Sequence, residues 1–406
     1  MKSCVPRAIG AVIFASVVAA GAAAQAPRYA QTYMPNADSV VLQKVPAATD
    51  PAVREMAALR PRVEAQPGDA VLADRLARMY IDYGRRVGDG HYAGYAEAVV
   101  APWLARPAPP PALLVTQATI LQFRHQFAAA RALLNRALAQ DSRLAQGWLT
   151  LATLDLVEGR YDAAREHCTR AGKHGGFALG LACSGHVLSY VGQAEQSIAL
   201  LSRIADDGPD IAPAFKAWVQ GMLAESNERL GRFDAAETHY RKALAHAPDD
   251  NFLLVAFADL LLDRGRPRDV VRLLAGNEDA DTAYLRVALA HAALGGPEAG
   301  RYAWTMAARY AGYTVRGIDY FDRERVRFVL HVERDPETAL AIAQRNWVVQ
   351  RAPWDARVLL EAALAARQPE AAAPVIAFVR ESGLQDPEIA SLVQRLTSRV
   401  VAGPRP

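Results

Sequence analysis

Two cysteines and three histidines lie near one another in the middle of the sequence. They are His167, Cys168, His174, Cys183 and His186. Zinc and copper sites need three or four converging thiolate or imidazole ligands, and Cys183 and His186 share one helix face because they are three residues apart. The spacing of the set is not that of a known zinc or copper knuckle. A metal- or redox-linked role for Cys168, Cys183 and His186 stays open beside two others, which are small buried side chains and a disulfide.

No motif of an enzyme accompanies these residues. The sequence has no HExxH, P-loop, GxSxG or CxxC pattern. Its carboxylates are spread along helix surfaces, whereas acid–base catalysis needs two of them held in one dry cleft. Gly88, Gly90 and Gly94 are expected in a long turn and not in a phosphate loop, because no strand precedes them and no lysine follows at the required place. We expect no catalysis, no cofactor and no metal.

The helices that would position such side chains have their clearest sequence pattern between residues 217 and 250. In this stretch Gly231 ends one helix, Phe233 opens the next, and Pro248 ends that one. Tyr240 is predicted to fill the wedge between the two helices. Methyl side chains let the two backbones approach closely enough for ridges to enter grooves, and the positions that have them are Ala224, Ala236 and Ala243.

This stretch resembles a tetratricopeptide repeat, which is a helix-turn-helix unit with a period of about 34 residues. Its aromatic marker recurs one such period apart, at Phe127 and Tyr161. Its turn glycines follow at nearly the same period, except for one longer interval before the third of them, at Gly159, Gly192, Gly231 and Gly265. The long interval indicates an insertion around residues 206–216 that lets the next helix start early. The resemblance implies an all-α, right-handed solenoid of antiparallel helix pairs, at about 111–144, 145–177, 178–211, 217–250, 251–280 and 281–312.

The chain begins with the pattern of an export signal. Lys2 and Arg7 precede an apolar run over residues 8–20, and three alanines follow at 22–24. We expect cleavage after Ala24 and a periplasmic or secreted protein, with a retained anchor left open. No later segment is long and apolar enough to span a membrane. Removing the signal lowers the formal net charge from +3 to +1, which gives no support to nucleic-acid binding.

The remaining segments follow from helix punctuation. Asp50 is predicted to cap the helix that Pro51 begins, and Asp386 is predicted to cap a last helix that covers the end of the stack. Arg323 and Arg327 lie one turn apart and are expected on a solvated face with nearby acids, rather than in an anion site. The run over residues 338–364 also resembles the carboxyl-terminal part of exported bacterial repeat proteins of unassigned function. The predicted order is a signal peptide (1–24), a flexible leader (25–49), degenerate helical repeats (50–110), the repeat array (111–312), C-terminal helical repeats (313–383), and a capping helix with its tail (384–406).

A disulfide between Cys168 and Cys183 is compatible with this helical order. Cys168 lies near the end of one repeat's second helix, and Cys183 lies about as far into the next first helix, so antiparallel packing across the turn between them could place their Cβ atoms opposite each other. Closing a loop of about 15 residues stabilises a fold by about 3 kcal/mol. Export would bring the cysteines to a compartment where disulfides persist.

The resemblance also implies where a partner binds. In tetratricopeptide repeats the first helices line the concave face and hold extended peptides or helices, so we expect a non-catalytic scaffold or adaptor for a protein or peptide in the cell envelope. A role in polysaccharide or glycan export or binding stays open, and Trp218 with Tyr190 on one continuous wall would favour it. Phe123 and Trp218 could also simply fill the core. Their positions within the repeat period place the following candidate partner-binding residues on the concave face: Phe123, His186, Tyr190, Trp218, Glu225, Arg229 and Asp259.

Overall fold

The structure is a computed structural model, and it describes residues 50–205, 211–318 and 322–402, together with residues 37 and 39. The predicted signal peptide and most of the predicted leader lie outside these residues. The chain divides into two units, Met1–Val40 and Val41–Pro406. Every helix described below belongs to the second unit.

The described part of the second unit consists of helices joined by turns. The all-α solenoid of antiparallel helix pairs that the sequence predicts is confirmed. Its first ten helices are α1 (Pro51–Ala65), α2 (Ala70–Val87), α3 (His91–Leu104), α4 (Pro111–Phe123), α5 (Phe127–Gln140), α6 (Ala145–Val157), α7 (Tyr161–Gly175), α8 (Phe177–Tyr190), α9 (Ala194–Ala205) and α10 (Pro213–Arg229).

The later helices continue the same order. A π-helical turn, Val329–Glu333, follows α16, and a 3-10 turn, Pro369–Ala372, precedes α19. These helices are α11 (Phe233–His246), α12 (Asn251–Asp263), α13 (Pro267–Leu273), α14 (Asp281–Leu294), α15 (Pro297–Val315), α16 (Asp322–Phe328), α17 (Pro336–Val349), α18 (Pro353–Ala365), α19 (Ala373–Ser382) and α20 (Pro387–Ala402).

Aspartates begin several of these helices. The Asp50 side chain accepts the Ala52 N–H at 2.8 Å, and Asp386 accepts the Ile389 N–H at 3.0 Å. Each such bond satisfies a backbone donor that has no partner within the helix, and is worth about 1 kcal/mol. The predicted caps at Asp50 and Asp386 are therefore confirmed.

The turns inside the helix pairs need a residue in the left-handed region. His125 occupies this place in the α4–α5 pair with φ 55°, one repeat period before Gly159 and in phase with it. A non-glycine residue there is strained by about 1–2 kcal/mol. Glycine takes the position in the next four pairs, with φ between 65° and 75°, at Gly159, Gly192, Gly231 and Gly265.

The pair α10–α11 packs as its small residues predict. Tyr240 is 2% exposed, and its ring stacks on that of Phe257 in α12 with 5.6 Å between centroids. Its hydroxyl donates to Glu228 Oε1 at 2.6 Å. The methyl groups that allow the close approach are fully buried at Ala224, Ala236 and Ala243. The wedge predicted for Tyr240 is confirmed.

Two turns differ in length from a simple repeat. The long turn predicted around Gly88, Gly90 and Gly94 is wrong, because α3 already begins at His91, whose N–H the Asp89 side chain accepts at 2.9 Å. The predicted early start of the helix before Gly231 is confirmed, since α10 begins at Pro213. Residues 206–210 of the predicted insertion lie outside the described residues.

The helices from α16 to α20, residues 322–402, are called the C-terminal segment here. Their apolar residues share one buried cluster with α10–α15, and Ile389, Leu392 and Leu396 of α20 belong to it. The turns and helices of the early pairs hold smaller clusters of their own. The C-terminal segment is therefore part of the largest core of the described chain.

The C-terminal segment also reaches the turns of four successive helix pairs. The backbone N–H of Arg351 donates to the Val157 carbonyl at 2.7 Å, and the Gln350 side-chain nitrogen lies 3.1 Å from His125 Nδ1. Further contacts join Phe378 to Gly159, Gly383 to Gly192, and Pro387 to Gly231. The last helices therefore lie against the turn side of the early repeats.

Candidate functional site

Four of the predicted partner-binding residues meet where α8 and α10 adjoin. His186 and Tyr190 lie on α8, with 5.0 Å between their ring centroids. Glu225 lies on α10, and its Oε2 is 3.6 Å from His186 Nε2. The Arg229 guanidinium carbon lies 4.8 Å from the centre of the Tyr190 ring, a distance suited to a cation–π contact. The structure thus brings together residues that the repeat phase assigned to one face.

Arg229 does not face an open groove in this conformation. The residue is 8% exposed, and its Nε donates to Ser189 Oγ at 2.7 Å. Its Nη1 lies 3.8 Å from Asp386 Oδ2, in the turn that begins α20. A partner could therefore use Arg229 only after the C-terminal segment had moved.

Asp259 lies at the centre of a buried ionic network. Both of its carboxylate oxygens accept from Arg286 of α14, at 2.9 and 2.7 Å, and Arg327 of α16 donates to Oδ1 at 2.7 Å. Arg286 also pairs with Glu324 of α16. Burial opposes the charge of Asp259, but the two guanidinium groups outweigh it and lower its pKa to about 2. Asp259 therefore joins two inner helices to the C-terminal segment.

The expectation of a solvated face for Arg323 and Arg327 is wrong for Arg327. Arg327 is 6% exposed and lies between Asp259 and the ring of Trp354, with its guanidinium carbon 4.5 Å from the ring centre. Arg323 is partly exposed and pairs with the adjacent Glu324 at 3.2 Å. The spacing along α16 places the two arginines one turn apart but does not show what covers each of them.

A second contact across the same boundary joins Asp263 of α12 to Arg357 of α18. Two parallel hydrogen bonds, both 2.6 Å long, run from the guanidinium to the two carboxylate oxygens. Arg357 also donates to Glu361 at 2.8 Å. Burial raises the pKa of Asp263 in spite of the arginine. The position of Asp263 in the repeat did not mark it as a candidate. A signal was nevertheless present, because α12 is apolar along its last three turns except for Asp259 and Asp263.

Glu228 supplies a further acid on the side of α10 that carries Glu225. It accepts the Tyr240 hydroxyl, and burial together with the charge of Glu225 raises its pKa to about 8. The carboxylates of Glu225, Glu228, Asp259 and Asp263 are called the acidic face here. All four lie on the first helices of two neighbouring pairs.

Two other candidate partner-binding residues, Trp218 and Phe123, lie away from the acidic face. Trp218 packs against Phe215, with 5.7 Å between ring centroids, in a cluster formed by α8, α9 and α10. Tyr190 belongs to a different cluster with Tyr161. Phe123 ends α4 and is 38% exposed. Trp218 and Tyr190 thus do not form the continuous wall that a glycan site would use.

A disulfide joins Cys168 of α7 to Cys183 of α8, with 5.3 Å between the Cα atoms. Gly172 and Gly180 face each other beside it, and a methyl group added to either would lie within 2.8 Å of the other's Cα. His167 Nδ1 instead lies 2.6 Å from Asp155. The described residues contain no group of three histidine, cysteine, aspartate or glutamate side chains that could hold a metal. The geometry therefore gives no support to a metal role for Cys168, Cys183 and His186.

A cleft of about 680 Å³ opens between the start of α5, the turn before α7 and the end of α17. Its lining includes His125, Arg160, Val348 and Arg351. Burial, with the charge of Arg323, lowers the pKa of His125 to about 4, so this imidazole is neutral at pH 7. The cleft does not bring together a nucleophile and a base with an oriented acid, which catalysis would need.

The family model of the tetratricopeptide repeat matches residues 217–260, the stretch that contains α11 and most of α10 and α12. The chain contains a tetratricopeptide repeat and has the fold of a tetratricopeptide solenoid. No curated protein matches the sequence. Among the described helices, none is long and apolar enough to cross a membrane.

Three solved structures are similar to the solenoid. A Rap protein complexed with competence and sporulation factor is 13% identical, with a TM-score of 0.46, over 86% of this chain and 99% of that one. A human IFIT1 dimer with PPP-AAAA is 14% identical, with a TM-score of 0.44, over 86% and 95%. A tetratricopeptide repeat protein from Parabacteroides merdae ATCC 43184 is 13% identical, with a TM-score of 0.32, over 84% and 99%.

Proposed function

We propose that this protein is a non-catalytic scaffold of the cell envelope, and that it binds a protein or peptide partner through the first helices of its tetratricopeptide pairs. Solenoids of this kind are generally interaction scaffolds, because stacked repeats present an extended concave surface.

One observation carries the proposal. The inner helices α10 and α12 already bind helical elements of this chain, since Arg229, Asp259 and Asp263 on them pair with side chains of the C-terminal segment. Aromatic and arginine side chains gathered on one surface are typical of the centres of protein interfaces. A surface that binds helices within the chain has the chemistry to bind one from another chain.

Two features support the envelope as the place of action. The first 24 residues have the composition of an export signal. Cys168 and Cys183 are disulfide-bonded, and such bonds persist in oxidising compartments.

Photo-cross-linking in living cells tests this function. A photoreactive residue is placed on the full-length chain at Phe123, or at Thr153, which the repeat pattern maps to the inner face of the first helix α6. The comparison positions are Arg241 or Lys242, which are exposed on the second helix α11. We expect both inner positions to give an adduct with the same partner, and the α11 positions to give none. Adducts from α11 alone, or no adduct from any position, would contradict a concave binding surface.

A further inference from the structure

We propose that the acidic face of α10 and α12 is a receptor for an arginine-bearing helix, and that the chain's own C-terminal segment occupies it until a partner of this chemistry displaces that segment. The proposal rests on the proposed function, because it names the partner class for the same concave surface. It also makes the present conformation the self-occluded form of the scaffold.

The geometry of the acidic face selects arginine. Asp259 and Asp263 lie one helical turn apart on α12, and each accepts a guanidinium of the C-terminal segment, from Arg327 and from Arg357. The two parallel bonds of Arg357, 2.6 Å each, are the bidentate fork that only arginine can offer to a carboxylate. Lysine, as a point donor, would make one of these bonds and leave the second oxygen without its partner.

The acidic face also requires an occupant. The charged form of Glu228 is already disfavoured, since burial and the charge of Glu225 raise its pKa to about 8. Removing Arg357 would leave Asp263 as a largely buried carboxylate without its bidentate partner, and breaking such a pair on one side is strongly destabilising. Departure of the C-terminal segment is therefore coupled to arrival of another cation, or to entry of water.

The helices of the C-terminal segment pack on one another, so the segment can leave as one body once it parts from the core that it shares with α10–α15. Its central helix α18 packs against α16, α17 and α20, which belong to the same segment. Its contacts with the early repeats are made at turns, where Gln350 meets the strained His125 and Arg351 bonds to Val157. Strained backbone that is held in place by a distant segment is typical of switch regions.

Binding of a labelled peptide to the full-length protein tests the proposal. The probe is a synthetic peptide of residues 322–367, which carries Arg327 and Arg357, and its binding is followed by fluorescence anisotropy. We expect Arg357→Asp in the protein to bind the probe at least tenfold more tightly than the wild type, because repulsion from Asp263 frees the acidic face. The double variant Asp263→Arg/Arg357→Asp should return to wild-type binding, because it restores the pair in reversed order.

A matched control separates this effect from the loss of any ion pair. Arg124 makes an equally bidentate pair with Glu97, at 3.0 and 2.7 Å, within the N-terminal helices. Arg124→Asp should leave probe binding unchanged. A folded Arg357→Asp protein that binds the probe no better than the wild type, or no better than Arg124→Asp, overturns the proposal.

A second measurement covers the case in which Arg357→Asp does not fold. A protease site is inserted after Gly317 of the wild-type chain, and the cleaved protein is chromatographed with and without excess probe. We expect the fragment from Ile318 onward to stay bound without the probe and to be released by it. A fragment that is retained at every probe concentration overturns the proposal.

Cross-linking of the cellular partner distinguishes a failure of self-occlusion from a failure of the scaffold function. If the cellular partner cross-links equally to wild-type and Arg357→Asp chains, the scaffold stands and self-occlusion fails. If neither chain yields an adduct from inner positions while the probe still binds the opened chain, the scaffold function fails and the receptor surface stands.

Discussion

The pair α10–α11 and the boundary between α12, α14 and the C-terminal segment are both tightly packed, but they are held together by different forces. In the first, Tyr240 and three alanines fill the space between two helices that are adjacent in the chain. In the second, Asp259, Arg286, Glu324 and Arg327 are buried as ions. The first contact gains its stability from close packing, whereas the second also depends on every charge keeping its counter-charge.

This contrast predicts which substitutions each region tolerates. A packed wedge loses stability in proportion to the volume removed. A buried ionic network loses most when one member is removed, and much less when all members are replaced together. Single and multiple substitutions in the two regions should therefore rank differently.

The largest effect is expected at Arg286. Arg286→Met leaves Glu324 and part of Asp259 without a buried counter-charge, and should lower the free energy of unfolding by about 3–5 kcal/mol. The quadruple variant Asp259→Asn/Arg286→Met/Glu324→Gln/Arg327→Met, which replaces every member of the network, should lose clearly less, as chemical denaturation would show. Arg301→Met, which breaks an exposed pair with Glu298, serves as the control and should leave stability nearly unchanged. A quadruple variant that is less stable than Arg286→Met would reverse the comparison.

Tyr240→Ala should follow closely, with a loss of about 3–4 kcal/mol from the cavity between α10, α11 and α12. Tyr240→Phe keeps the ring and removes only the hydrogen bond to Glu228, so it should lose about 1–2 kcal/mol. Equal losses for the two variants in thermal or chemical denaturation would show that the hydroxyl, and not the wedge, stabilises this pair.

The sequence predicts the first region better than the second, for a physical reason. The glycine turns, the Tyr240 wedge and the caps at Asp50 and Asp386 depend on neighbours within one helix pair, which spacing records. The pairing of Asp263 with Arg357 joins residues 94 positions apart, and that of His125 with Gln350 joins residues 225 apart. One signal was present, since two aspartates on the otherwise apolar end of α12 indicate buried counter-charges.

The disulfide should contribute an intermediate amount. Replacing both Cys168 and Cys183 with alanine removes a loop closure over 15 residues and should lower stability by about 3 kcal/mol. In protein purified from the envelope, alkylation under denaturing conditions should modify neither cysteine until reductant is added, as read by mass. Two alkylated thiols without reductant would show that the bond does not form in the cell.

The smallest effect is expected at Glu228 and depends on pH. Its pKa is raised to about 8 in the folded chain, so folding favours the protonated form. Stability from this group is full below the unfolded pKa and is lost as the pH rises towards 8. Glu228→Gln should therefore raise Tm by about 2–4 °C at pH 9 and change it little at pH 4. An equal change at both pH values would contradict a proton-linked effect.

The most direct test of the account is a double-mutant cycle between Asp263 and Arg357. The full-length chain is measured by chemical denaturation as the wild type, Asp263→Asn, Arg357→Met and the double variant. If the C-terminal segment lies on the acidic face, the double variant should lose less than the sum of the single losses, with a coupling energy of about 1–3 kcal/mol. Single losses that add to within about 0.3–0.5 kcal/mol would contradict the contact on which the self-occluded scaffold depends.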